Sequence, residues 1–308
     1  MTLNNIVRGK RRDKHSAYFK RDLISYLLLI GPPFVIIFVL TFLPVVDSIW
    51  MSLWHMNLAM PDANKFIGLG NYIKMFTIDP NFWVIMRNTV VQVFSTVILQ
   101  VVIGLLLAIL FSREVRGMNV ARALLIVPMM VTPVVVGVIW RMALNPDYGV
   151  INYLLSLLHV AGPDWLSSPS LAMVSIVLTD VWLSTPFVTI IIIAGISSLP
   201  RDPFEAAKVD GANAFQSFFY ITLPLLKPVI WVAVMFRLID SFKRFDSIFI
   251  MTGGGPGIAT ETLNLYAYNT AFFYMDTGYA SALASFLFII IAVVSIFTIS
   301  KVQRGGDS

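Results

Sequence analysis

Residues 188–236 read VTIIIIAGISSLPRDPFEAAKVDGANAFQSFFYITLPLLKPVIWVAVMF. Two long apolar runs enclose a polar, amphipathic island from Pro200 to Pro228. Apolar runs of about 20 residues match the hydrocarbon thickness of a bilayer at 1.5 Å rise per residue, so the island reads as a loop between two membrane spans. The remainder of the 308-residue chain agrees: 57% hydrophobic residues, 13% charged residues and a mean hydropathy of +0.80 lie outside the mixture of a soluble globular domain. Counting domains therefore becomes counting spans.

Six nearly charge-free windows qualify: Leu23 to Val46, Asn88 to Phe111, Ala123 to Trp140, Leu171 to Leu199, Val229 to Ile250 and Tyr279 to Ser300. They predict an all-α, polytopic membrane protein with six transmembrane helices. The first window follows a basic stretch, as a signal peptide would, but its apolar run is too long and no small-residue cleavage site follows. It reads as an uncleaved helix bent at Pro32-Pro33. Lys and Arg number 7 in residues 1–22, 3 in 112–122, 3 in 200–228 and 2 in 301–308, against 3 in 47–87, 1 in 141–170 and none in 251–278. The positive-inside rule then predicts both termini and the 200–228 loop to be cytoplasmic. The expected division is a basic tail over 1–22, a six-helix transmembrane domain over 23–300 that includes the 200–228 loop, and a short tail over 301–308.

Within the loop, Pro200 and Pro203 stop the fourth span and permit a new helix, in which Glu205, Ala206, Ala207 and Lys208 are good helix formers. Asp210-Gly211 supplies a turn. A second run, Ala212 to Thr222, carries Phe215, Phe218, Phe219 and Ile221 at helical spacing, and Pro224 and Pro228 are expected to break it before the fifth span. The plain alternative is an amphipathic connector. A DNA-reading element is disfavoured, because Lys208 is the only base between Glu205 and Leu226.

Polarity also enters the membrane. Arg237, Asp240, Lys243, Arg244 and Asp246 all fall in the fifth window, where each ionised group costs roughly 2.5–3.5 kcal/mol on insertion scales. Helical spacing allows Asp240 to pair with Arg237 or Arg244, and Lys243 with Asp246. In the fourth window Asp180, Ser184 and Phe187 share one face, and Pro186 is expected to bend the helix there. Asp180 has no cation in its own span, so cavity water is its expected environment, whereas Asp240 reads as the neutralising partner of the fifth span. A self-neutralised structural network and a wet solute pathway both remain open. Trp50, Trp54, Trp83 and Trp140 sit near span ends as interface anchors.

Several chemistries are excluded. There is no cysteine, hence no disulfide, thiolate metal site or Cys nucleophile. No G-x-x-x-x-G-K-[ST] occurs, and the glycines at 253–255 and 257 have no following Lys. His15, His55 and His159 lack metal-ligand spacing. No catalytic set is expected, and no enzyme activity.

The loop EAAKVDGANAFQSFFYITLPLLKP (205–228) resembles the EAA loop of permease subunits of ATP-binding-cassette importers, in the maltose-type carbohydrate branch. FKRFDSIFIMTGGGP (242–256), TGYASA (277–282), FIGLGNY (66–72) and PDYGVIN (146–152) are similar to further segments of that branch. The resemblance implies a subunit in the bacterial cell membrane that moves a sugar, oligosaccharide or related polyol or glycerol derivative by alternating access, driven by ATP hydrolysis on separate subunits. This chain would bind no cofactor, ATP and Mg being held by partner subunits. It implies as partners a second homologous permease subunit, an ATPase dimer, an extracytoplasmic solute-binding protein, a carbohydrate substrate and the lipid bilayer, with no nucleic acid. Carried over by register, Glu205, Ala206, Ala207, Asp210, Gly211 and Ala212 would couple to the ATPase. Asp180, Leu183, Ser184, Phe187, Arg237, Asp240, Lys243 and Arg244 would line the substrate pathway. The alternatives are an ion-coupled secondary transporter and a non-transporting membrane sensor or scaffold.

Overall fold

The computed structural model describes residues 29–112 and 116–306, with side chains to residue 303. The basic tail at 1–22, the start of the first predicted span and part of the 112–122 loop lie outside the described residues. The chain divides into two compact units at Met51/Ser52. The described residues of the first form one helix, α1 (Leu29–Met51), none of whose most apolar window is buried. Helical backbone runs on through Pro32 and Pro33.

The second unit opens with a two-stranded antiparallel pair, β1 (Trp54–His55) and β2 (Lys65–Phe66), in which Trp54 faces Phe66. Helices then follow in order: α2 (Gly70–Ile73), α3 (Phe82–Phe111), α4 (Met118–Ile126), α5 (Pro133–Ala143), α6 (Val150–Leu157), α7 (Pro169–Ser197), α8 (Asp202–Val209), α9 (Ala214–Ser217), α10 (Leu223–Phe242), α11 (Asp246–Met251), α12 (Leu263–Phe272) and α13 (Thr277–Gly306). Among the described residues five helices are long and apolar enough to cross a membrane, and a sixth crossing requires α4 and α5 to act as one span.

That third span departs from the continuous helix expected over Ala123 to Trp140. Met118–Met130 and Pro133–Ala143 meet at 97°. The cause is local: Pro133 disfavours helical backbone at the residue before it, and Thr132 is extended at φ −66°, ψ 143°.

The fifth span departs in the opposite sense. Pro224 and Pro228 do not break it, because α9, a wide turn over Phe218–Thr222 and α10 form one helix from Ala214 to Phe242. In the wide turn Leu223 N–H donates to Phe218 O, five residues back, immediately before the residue that has no N–H to give. The helix ends at Phe242 instead of continuing to Ile250, and Lys243 to Phe245 form a break before α11. α7 likewise continues through Pro186. α13 extends beyond Ser300 to Gly306, into the segment expected to be a tail.

α3 packs along α7, and α10 lies against both. α7 is the most enclosed of the five long helices, with 67% of its most apolar window buried. Buried hydroxyls in it close onto their own helix: Thr179, Thr185 and Thr189 donate to the carbonyls of Ser175, Val181 and Thr185, as backbone and side-chain groups must where no water competes. Small residues set the approach of the helices. A Cβ added at Gly104 would lie 2.8 Å from Val188 Cγ1 and 3.4 Å from the Thr189 backbone nitrogen. Gly104→Leu is therefore expected to push α3 from α7 and cost about 1–3 kcal/mol, read as a lowered thermal midpoint of the purified protein; an unchanged midpoint would refute this contact as a packing constraint.

At the end of the unit where α3 and α13 begin, Asp79 accepts hydrogen bonds from Tyr266 Oη at 2.7 Å and Tyr279 Oη at 2.5 Å. Burial raises the pKa of this carboxyl, but those two phenols and the backbone N–H groups of Asn81 and Phe82 outweigh it and hold the pKa below the usual value. Asp79 thus clasps α12 to α13 in its ionised form.

Candidate functional site

A cavity of about 200 Å³ lies where the bend of the third span meets the middle of α7 and the end of α10. Leu183, Ser184, Phe187, Arg237, Asp240 and Arg244 line it, six of the eight residues expected on a solute pathway. Met129, Val131 and Pro133, which flank the 97° bend, complete its wall. A larger cleft of about 570 Å³ follows Pro146 to Gly162, but the only charge on its walls is Asp147.

The remaining two expected residues, Asp180 and Lys243, belong to an ionic chain with these side chains. Asp180 has a fully buried side chain and binds Arg244 Nη2 at 2.7 Å and Arg237 Nη2 at 3.8 Å. This corrects the expectation of cavity water around Asp180: its cations come from another element, brought across by the packing of α7 on α10 and by the break at 243–245. Asp240 is half exposed and is shared by Arg237 Nη1 at 3.2 Å and Lys243 Nζ at 3.5 Å. The pairings anticipated for Asp240 with Arg244 and for Lys243 with Asp246 do not form, because the helix stops at Phe242 and the three- and four-residue spacing no longer applies beyond it.

Arg237 is 3% exposed, and a neighbour that composition-based reading missed holds it there. Gln100 on α3 accepts from Arg237 Nε at 2.8 Å and donates to the Asp180 carbonyl oxygen at 2.9 Å. The signal was legible: Thr89, Gln92, Thr96 and Gln100 recur at helical spacing inside an apolar span, and all four are buried on the face toward the other helices. Ser184 Oγ stands 3.3 Å from Asp180 Oδ1 and accepts from Arg244 Nη2 at 3.4 Å. Three atoms of this cluster, Asp180 Oδ2, Arg237 Nη2 and Arg244 Nε, are buried without a hydrogen-bond partner.

Two aromatic side chains near these residues do not line the cavity. Phe242 is buried in the core between α3, α10 and α13. Trp182 packs edge-on against Trp140 at 5.8 Å.

The 200–228 loop takes the expected helix-turn-helix form. α8 exposes Glu205 and Ala206 and buries Ala207. Asp210 ends it, and Gly211 turns the chain at φ +77°. Ala212 N–H returns to Ala207 O at 2.9 Å. Asn213 then caps α9 reciprocally with Gln216.

Residues 100–303 match the family described as "Binding-protein-dependent transport system inner membrane component". The chain belongs to that family. Among its relatives, "Probable ABC transporter permease protein y4oQ" of Sinorhizobium fredii is 41% identical over 86% of this chain and 85% of its own. The "Trehalose/maltose transport system permease protein MalF" of Thermococcus litoralis is 36% identical over 89% of this chain and 91% of its own. A bacterial ABC transporter involved in the import of alginate has the same fold, with a TM-score of 0.80 over 94% of this chain and 99% of that one at 21% identity. As an inner-membrane transport component the chain is a permease subunit and no enzyme, which agrees with the resemblance carried by its EAA loop.

Proposed function

We propose that this permease subunit imports a carbohydrate by alternating access, powered by ATP hydrolysed on separate subunits. One observation carries the reading: a single helix connects the exposed loop to the polar cavity. From Ala214 beside the loop to Arg237 on the cavity wall, the helix rises about 35 Å at 1.5 Å per residue. Displacement of α8 by a partner is transmitted along it as a rigid element, and the cavity wall moves with it. The exposed residues Glu205, Ala206, Asp210 and Gly211, with Ala207 and Ala212 packed behind them, form the docking surface for an ATPase dimer.

The rest of the assembly follows the same reading. A homologous permease subunit completes the translocation path, and a solute-binding protein delivers the substrate from the extracytoplasmic side. The excess of basic residues in these segments supports a cytoplasmic side for both termini and α8. The carbohydrate assignment is supported by the relative whose name specifies trehalose and maltose and by a cavity that combines Phe187 with hydrogen-bonding Ser184, Arg237, Asp240 and Arg244.

Affinity purification of the tagged chain from its native membrane tests the proposal. An ATPase subunit is expected in fixed stoichiometry, with ATP-dependent sugar uptake by the reconstituted complex. Uptake by the chain alone, driven by an ion gradient, would overturn it.

A further inference from the structure

The charged groups of the cavity form an unfinished alternation. In order of contact they run Arg244, Asp180, Arg237, Asp240, Lys243, with a cation at both ends and each carboxylate shared by two cations. Three positive groups face two negative ones, leaving one positive charge in excess. Among the described residues no third carboxylate lies within 4.0 Å of these cations.

The excess borders the cavity. Arg237 and Arg244 line the cavity, and each keeps one buried guanidinium nitrogen without a hydrogen-bond partner, Nη2 and Nε respectively. A buried donor left unpaired costs about 1–3 kcal/mol, more when charged, and a two-oxygen anion is the group whose geometry suits a guanidinium fork. Asp240 on the same wall does not bar an anion, because Arg237 and Lys243 already share it. Beside the cations stand Phe187 and Leu183, an apolar surface for a ring, and the Ser184 hydroxyl. At about 200 Å³ the cavity is smaller than the roughly 300–1,000 Å³ typical of ligand pockets, a size for one ring or one end of a longer solute.

We infer that the cavity selects an anionic carbohydrate, a sugar carrying a carboxylate or comparable acidic group that bridges Arg237 and Arg244 and completes the alternation. The inference rests on the carbohydrate-permease reading and narrows it to a substrate class.

The test uses the complete purified transporter in lipid nanodiscs, with ligand-dependent thermal stabilisation as the readout. Three probes are compared: D-glucose, D-glucuronate, which differs in its carboxylate, and inorganic phosphate. Glucuronate is expected to half-saturate wild type at a concentration about tenfold or more below glucose, as one charge-assisted hydrogen bond allows. In Arg244→Gln two cations face two carboxylates, and the two sugars should become equivalent. Lys243→Gln removes a half-exposed cation from the other end; this variant should fold normally and show a narrowed preference.

Equal response of wild type to both sugars, or no response to either, would overturn the inference; if the complex still takes up a neutral carbohydrate, the proposed function stands without it. Phosphate as effective as glucuronate would also overturn it, since the ring would then not be read. Absence of both an ATPase partner and any carbohydrate uptake would remove the two readings together.

Discussion

Asp180→Asn is expected to abolish most of the recoverable complex, while Asp240→Asn leaves yield close to wild type. The difference follows from burial. Asp180 is fully enclosed and, among the described residues, is the sole carboxylate touching Arg244, which is itself 11% exposed, whereas Asp240 is 52% exposed. Removing the anion of a buried pair leaves an uncompensated charge and costs about 3–5 kcal/mol. Set against a total stability of about 5–15 kcal/mol, that is enough to unfold a marginal protein. At Asp240 water replaces much of what the carboxylate supplied. A second substitution discriminates charge from packing: Arg244→Gln added to Asp180→Asn should restore part of the yield, because Arg237 still has Asp240. Complex recovered by affinity purification and its size-exclusion profile measure both effects. Equal yields for Asp180→Asn and Asp240→Asn would show that the Asp180 pairs do not hold the fold.

Gly211→Pro should have the largest effect on coupling at near-normal abundance. Gly211 sits at φ +77°, and its N–H donates to Lys208 O at 3.2 Å. Proline fixes φ near −65° and has no N–H, so it opposes both features and redirects the chain between α8 and α9. A Cβ at this position meets nothing within 4 Å, so Gly211→Ala bears only the backbone cost of about 1–2 kcal/mol. A docking equilibrium shifted by 1.4 kcal/mol changes tenfold. Solute-driven ATP hydrolysis and uptake should therefore fall by roughly tenfold or more in Gly211→Pro and less in Gly211→Ala, with membrane insertion intact in both. Wild-type uptake by Gly211→Pro at wild-type abundance would exclude this turn from the coupling path.

The spans were legible because bilayer thickness imposes a length that composition displays directly. The second, fourth and sixth windows match α3, α7 and α13 closely. The breaks were harder to read, since proline acts through context. Pro133 bends its span sharply, Pro186 leaves α7 continuous, and Pro224 and Pro228 are absorbed beside a wide turn. In the site, proximity along one helix identified the Arg237 and Asp240 pair. Spacing could not reveal the pairs to Asp180, which lie 57 and 64 positions away along the chain and depend on how α7 meets the end of α10. Gln100 was overlooked because neutral polar residues do not register as charges, although their periodic recurrence on α3 marked the inward face.

The long chain separation of Asp180 from its two arginines has a consequence for biosynthesis. The α7 segment leaves the ribosome before Arg237 and Arg244 have been translated, so it enters the bilayer with an acid whose partners do not yet exist. At the translocon such a residue costs about 2.5–3.5 kcal/mol, which the surrounding isoleucines and valines of α7 must offset unaided. Arg237 and Asp240, by contrast, emerge three residues apart and can enter as a pair. Closure of the Asp180 contacts is consequently a late event, occurring only after α10 has docked. The carboxyl that anchors the finished protein thus enters the membrane before either of its cations has been made.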